Sequence, residues 1–239
     1  MQPTSSPVKV GVIGIGNMGW HHARVLSLLK DANLIGVADP NEERGKLAIE
    51  QFQCEWFKDY KDLIPKVNAI CIAVPTLLHQ KVGLYCLQKG VNVLIEKPIA
   101  ANEAEAKSLI EASKKSNCLL QVGHIERINP ALLALSDYKI NPKYIEIQRL
   151  APFSVRGTDV PVVLDKMIHD LDILLSLVKT PLKEIHADGL SILTESIDMA
   201  HARISFQNNT IANITSSRIA KEDIRKVKLF QKNLYCTLD

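Results

Sequence analysis

The sequence predicts an α/β chain in two domains. Residues 1–122 read as a doubly wound parallel sheet, and 123–239 as an α+β domain with a mostly antiparallel, open sheet. Three observations carry this. Strand and helix patterns alternate from residue 8 to 122, as parallel strands joined by crossover helices do. Ala69–Val74, AICIAV, is a continuous apolar run, which fits a strand covered on both faces. After Gly123 strand patterns follow one another without helices between, which indicates antiparallel pairing.

The elements follow in order. Val8–Ile13 is a strand, then a helix runs from about Asn17 to Lys30. Leu34–Ala38 is a strand ending at Asp39-Pro40, and Asn41 caps the next helix. Trp56-Phe57 marks a short strand. A helix from about Thr76 to Lys89 stops at Gly90, a residue suited to the left-handed position after a helix. Asn92–Ile95 is a strand, Asn102–Ser116 a helix and Leu119–Val122 a strand. In the second domain Asn129-Pro130 reads as a cap with proline at the first helical position. Lys143–Leu150 alternates as a strand, and Val162–Val178 is helical. Leu182–Leu193, Ile197–Phe206, Thr210–Ile219 and Val227–Leu238 are strands, with a turn at Asn208-Asn209. The last of these leaves an open sheet edge, expected to be covered by a partner or by a C-terminal portion outside this sequence.

Composition narrows the function classes. The chain is 46% hydrophobic and 23% charged, as in a globular protein, and its net charge of +3 is small and dispersed. Neither nucleic acid nor a membrane is expected as partner. MQPTSSP lacks the apolar core of a signal peptide, and no apolar run is of membrane-spanning length. The five cysteines are scattered without a C-x-x-C pair, so neither metal nor disulfides are expected, and Cys71 and Cys118 read as buried thiols. A cytoplasmic location is expected.

The first strand runs into Gly14-Ile15-Gly16-Asn17-Met18-Gly19 and then into a helix, which is the context that gives G-x-G-x-x-G its meaning. The first glycine allows the turn. The second admits a pyrophosphate to the backbone, and the third lets helix and strand pack closely. The new helix directs its N–H groups and positive dipole end at the phosphates. Asp39, twenty residues past Gly19, is placed to accept hydrogen bonds from the adenosine ribose and to repel a 2′-phosphate. NAD is therefore expected, with NADP possible through nearby Arg44.

Three residues are candidates for chemistry. Lys97, in Glu96-Lys97-Pro98, lies just past the carboxyl end of a parallel strand, where such sheets bind ligands. Pro98 restricts the Lys97 backbone, and a cis 97–98 peptide is a further expectation. Asp165 and His169, four apart in LDKMIHDLD, share one helix face. His169 can take a hydroxyl proton near neutral pH, and Asp165 can orient it. Asp170 and Asp172 flank the pair, but no second ligand cluster accompanies them, so no metal is expected.

These pieces, with Ala38-Asp39-Pro40, Val74-Pro75-Thr76 and His79, resemble the Gfo/Idh/MocA family of NAD(P)-dependent sugar and cyclitol oxidoreductases in order and interval. The resemblance implies a Rossmann domain, then an open-sheet domain used for substrate and for homo-oligomer contacts. It places Lys97, Asp165 and His169 at catalytic positions. Pro75, Thr76, His79 and Glu96 fall near cofactor or substrate, beside the glycine turn and Asp39. GHIERINP (Gly123–Pro130) and Arg149–Asp172 are similar to the branch that oxidises UDP-sugars, notably UDP-N-acetylglucosamine. Arg127, Arg149 and Arg156 then become candidates for a diphosphate, since guanidinium binds phosphate in a fork, and Asn129 for the sugar amide. Family members usually continue past the position of Asp239, so the second domain is expected to be incomplete.

The resulting expectation is NAD-dependent oxidation of a secondary hydroxyl on a UDP-linked N-acetylhexosamine, in lipid A or surface polysaccharide synthesis. His169 takes the hydroxyl proton and Lys97 polarises the oxygen, or the two exchange roles, and both must reach that hydroxyl. Two alternatives stay open: a dehydrogenase of a free sugar or cyclitol, and a non-catalytic NAD-binding regulator.

Overall fold

The apolar stretch VKVGVI forms β1 (Val8–Ile13), whose last four residues are buried. It opens the first of two units, Met1–Gly123 and His124–Asp239, and the computed structural model describes residues 6–154 and 160–239. The first unit continues through α1 (Asn17–Leu28), β2 (Ala32–Ala38), α2 (Glu42–Phe52), β3 (Glu55–Phe57), α3 (Tyr60–Leu63) and β4 (Ala69–Ile72). It ends with α4 (His79–Gln88), β5 (Asn92–Ile95), α5 (Glu103–Ser116) and β6 (Leu120–Val122). The strands lie in the order β3-β2-β1-β4-β5-β6, all parallel. The order in which strands are added reverses between β1 and β4, and the carboxyl ends beside such a switch point form the crevice where doubly wound sheets bind ligands.

Local chemistry fixes the helices. Asn41 accepts the Arg44 N–H at 3.0 Å, with Glu42 and Glu43 in the first turn of α2 complementing the dipole. Asn102 accepts the Glu105 N–H at 3.0 Å while Glu105 accepts from the Asn102 amide at 2.9 Å, a reciprocal cap on α5. Gly90 ends α4 with φ of 78°, in the left-handed region its missing side chain tolerates. Leu63, Ile72, Leu87, Ile95 and Leu109 are fully buried between sheet and helices.

The second unit comprises α6 (Pro130–Leu133), β7 (Tyr144–Leu150), a π-helical turn (Val163–Met167), α7 (Ile168–Leu177), and strands β8 (Leu182–Leu190), β9 (Met199–Phe206), β10 (Ile211–Ser217), β11 (Ile224–Gln231) and β12 (Leu234–Leu238). Their order is β12-β11-β7-β10-β9-β8, and only β7 and β10 pair in parallel. Ala200, Ala202, Ile204 and Phe206 alternate inward on β9 and meet Val162, Met167 and Leu174, while His201, Arg203 and Ser205 face outward.

The structure corrects three local expectations. Val227–Leu238 is not one strand but the hairpin β11–β12, because Asn233 adopts φ of 66° and turns the chain. Leu182–Leu193 stops pairing at Leu190, because buried Asp198 gathers the N–H groups of Ile192, Leu193 and Thr194. Val162–Val178 is helical as expected, as a π turn over Val163–Met167 followed by α7. Cys118 is partly exposed, whereas Cys54, Cys71 and Cys86 are buried. The Lys97-Pro98 bond is cis.

Candidate active site

The glycine turn is built by exclusion. Gly14 has φ of 88°, and a Cβ there would sit 2.7 Å from the Ala73 carbonyl oxygen. A Cβ on Gly19 would overlap the Gly14 carbonyl. Gly16, which precedes the first turn of α1, is different: a Cβ there would meet nothing within 4 Å. Space is left open in front of a helix N-terminus, and that arrangement fits the pyrophosphate of a dinucleotide. Asn17, Met18 and Gly19 form that first turn.

Asp39, only 7% exposed, stands beside it. Its Oδ2 accepts the Ile15 N–H at 2.7 Å and its Oδ1 the Asn41 N–H at 2.8 Å. Its own carbonyl accepts from the Trp56 indole at 3.0 Å. Trp56 lies against α2 where a side chain on Gly45 would collide with the ring.

The loops after β4 and β5 are joined by His79, which is buried. Its Nδ1 lies 2.8 Å from the Pro98 carbonyl and its Nε2 3.0 Å from that of Val74. His79 thus ties the two loops together; Thr76 is buried, and the Leu78 N–H donates to the Pro75 carbonyl at 2.8 Å. Glu96 is also buried. Its Oε2 accepts the Lys97 N–H at 3.2 Å, and its Oε1 accepts from His22 Nε2 at 2.8 Å. Burial acts to raise the Glu96 carboxyl pKa, but the His22 ring and the Lys97 amide and charge outweigh it and hold it below the ordinary glutamate value. Every candidate of the first unit, from Gly14, Gly16 and Asp39 to Pro75, Glu96 and Lys97, follows the carboxyl end of β1, β2, β4 or β5.

In the second unit Asp165 lies in the π turn and His169 in the first turn of α7, both partly buried. Single π turns within helices recur at functional sites. Asp165 Oδ2 is 3.7 Å from Lys166 Nζ. Next to His169, Asp170 is 1% exposed and pairs with Arg149 Nε at 2.9 Å, while Arg149 Nη1 reaches Glu126 at 3.3 Å. Glu126 also accepts from the Asn129 amide at 3.1 Å. Burial raises the Glu126 pKa, but Asn129, Arg149 and His169 together hold it below the usual range.

Each described substrate candidate has a polar partner within the second unit. Arg149 pairs with two carboxylates, and Asn129 caps α6 through the Ala131 N–H at 3.0 Å. Arg127 is the more exposed, yet it pairs with Asp172 through two bonds of 2.8 and 2.6 Å. Arg156 lies outside the described residues. Among the described residues, no cluster of three or more His, Cys, Asp or Glu is placed to hold a metal, and no helix is long and apolar enough to cross a membrane.

His22 and Glu126 also belong to these networks, without a sequence motif of their own. The signal for His22 was its place three residues after Gly19 on the α1 face that carries buried Gly19 and Ala23. Glu126 sits in GHIERINP but was overshadowed by the arginines around it.

Comparison with known proteins agrees with this geometry. Residues 8–124 match the model of the GFO_IDH_MocA oxidoreductase family, described as an NAD-binding Rossmann fold. The chain is 36% identical over 233 residues to UDP-N-acetylglucosamine 3-dehydrogenase of Acidithiobacillus ferrooxidans, covering 97% of this chain and 74% of that one. A solved structure of that enzyme superposes with a TM-score of 0.92, covering 98% of this chain and 75% of the other. Myo-inositol 2-dehydrogenase of Thermotoga maritima is 28% identical over 231 residues, covering 89% of this chain and 69% of its own.

Proposed function

The chain belongs to the Gfo/Idh/MocA family of oxidoreductases, and from that premise we propose that it oxidises the C3 hydroxyl of UDP-N-acetylglucosamine with NAD. Bound NAD supplies the hydride acceptor. The turn at Gly14–Gly19 holds its pyrophosphate on the backbone of α1, and Asp39 accepts from the adenosine ribose. His169 takes the proton of the reacting hydroxyl, and Asp165 orients that imidazole. Lys97 donates to the same oxygen as negative charge develops on it. The second unit binds the sugar nucleotide and carries the homo-oligomer contacts through its sheet.

The observation that carries the substrate is the likeness to the UDP-N-acetylglucosamine 3-dehydrogenase, which is stronger than that to the inositol enzymes and runs through the second unit, where a substrate is chosen. The inositol dehydrogenases that also align favour a second reading, oxidation of a cyclitol. Reduced nicotinamide formation from UDP-N-acetylglucosamine, free N-acetylglucosamine and myo-inositol, each with NAD and NADP, decides between them. Turnover of the sugar nucleotide alone supports the proposal, turnover of inositol replaces it with the second reading, and NAD binding without turnover leaves a regulator.

A further inference from the structure

We propose that His22 is a positioning residue that ties the dinucleotide-binding helix α1 to the turn carrying Lys97, by way of Glu96. The inference rests on the reading of Lys97 as a catalytic residue. Glu96 and His22 stand 74 residues apart in sequence, yet their side chains meet at 2.8 Å where both are largely buried, 10% and 19% exposed. Glu96 uses its second oxygen on the Lys97 backbone N–H at 3.2 Å. Its own N–H is spent on the Ile72 carbonyl at 2.9 Å, and a Cβ on neighbouring Gly123 would stand 3.3 Å from Oε1. The carboxylate is therefore held from α1 and from its own turn. An ionised carboxylate only accepts, so the facing His22 nitrogen is the donor.

The consequence is mechanical. α1 begins at the turn that would hold the pyrophosphate, and His22 lies on its second turn. The helix that fixes the cofactor and the segment that aims the lysine are thereby set against each other by one side-chain contact. A hydrogen bond to a charged group in a buried place is among the stronger ones, and its loss leaves the carboxylate short of a donor. Lys97 then keeps its chemistry but loses its aim, which costs turnover rather than cofactor affinity.

The test uses the full chain with His22→Ala, His22→Gln and Lys97→Met variants. Hydrogen exchange of residues 96–101 is followed without substrate, and kcat and KM are measured with NAD and the best substrate of the panel. His22→Ala is expected to speed exchange in that segment and to lower kcat about tenfold, with KM for NAD within about threefold. His22→Gln, which restores an N–H donor, is expected to recover both. Unchanged exchange in His22→Ala, or identical behaviour of the Ala and Gln variants, overturns the proposal. Should His22→Ala fail to fold, Glu96→Gln removes the charge with little change of shape, and it must show the same exchange and kcat changes. Full turnover by Lys97→Met overturns the catalytic reading of Lys97 instead, and the exchange measurement still decides the tie between His22 and Glu96.

Discussion

Asp39 Oδ2 accepts the backbone N–H of Ile15 at 2.7 Å, so the acid that ends β2 is fastened to the middle of the turn that ends β1. The Asn41 N–H on Oδ1 fixes the other oxygen. A carboxylate held this way presents a fixed negative charge where an adenosine ribose is expected. Asp39→Ser is expected to lower the kcat/KM preference for NAD over NADP by about tenfold or more, the worth of one charged contact. Initial rates with both cofactors measure it, beside a melt to confirm folding. An unchanged preference removes Asp39 from cofactor selection.

Gly16 and Gly19 separate cofactor binding from folding. The open space at Gly16 accommodates a methyl group, so Gly16→Ala is expected to keep stability within about 0.5 kcal/mol while weakening NAD about tenfold or more. At Gly19 the methyl would overlap the Gly14 carbonyl, so Gly19→Ala is expected to cost about 1–3 kcal/mol in stability. Urea unfolding and calorimetric titration with NAD read the two effects. Loss of NAD affinity at neither position is incompatible with a pyrophosphate on this turn.

Lys97→Met and His169→Asn are expected to lower kcat by roughly 10²–10⁴-fold, the usual worth of a positioned acid or base. Single-turnover formation of reduced nicotinamide isolates the chemical step from release. A variant that retains the wild-type rate in that step has no role in proton transfer.

The glycine turn, Asp39 and the alternation of elements were legible because each is local: a strand, a turn type and a helix start lie within a few residues of one another. The parallel, doubly wound character of the first sheet followed from the same alternation. The π turn at Val163–Met167 was not legible, since its hydrophobic spacing also suits an α-helix. The β11–β12 hairpin hid behind Lys232-Asn233, a two-residue turn that carries no glycine. The larger gap concerned partners. The resemblance and the guanidinium fork made Arg149 and Arg127 candidates for a diphosphate, and only folding shows that Asp170, Glu126 and Asp172 face them. The contact of His22 with Glu96 is likewise a product of topology, joining elements on either side of β4.

Arg149 and Asp170 also make stability depend on pH. Burial pushes the Asp170 carboxyl up to about 6, against the pull of the Arg149 guanidinium and the Ser216 hydroxyl. Unfolded, an aspartate titrates near about 3.9. Between about pH 4 and 6 the folded chain therefore binds the extra proton, and this group's contribution to stability falls as pH rises through that window. Two pKa units set the scale at roughly 3 kcal/mol or less. Glu126 has the opposite sign, because its carboxyl is held low, and its contribution is lost only at pH values below its ordinary 4.5. Asp170→Asn keeps an oxygen for Arg149 but cannot titrate. Relative to that variant, the wild-type protein is expected to gain about 1–3 kcal/mol between pH 7 and pH 4.5, read from urea unfolding at intervals of half a pH unit. A difference that stays constant across the window means that Asp170 titrates alike in the folded and unfolded chain, and that Arg149 fully compensates its burial.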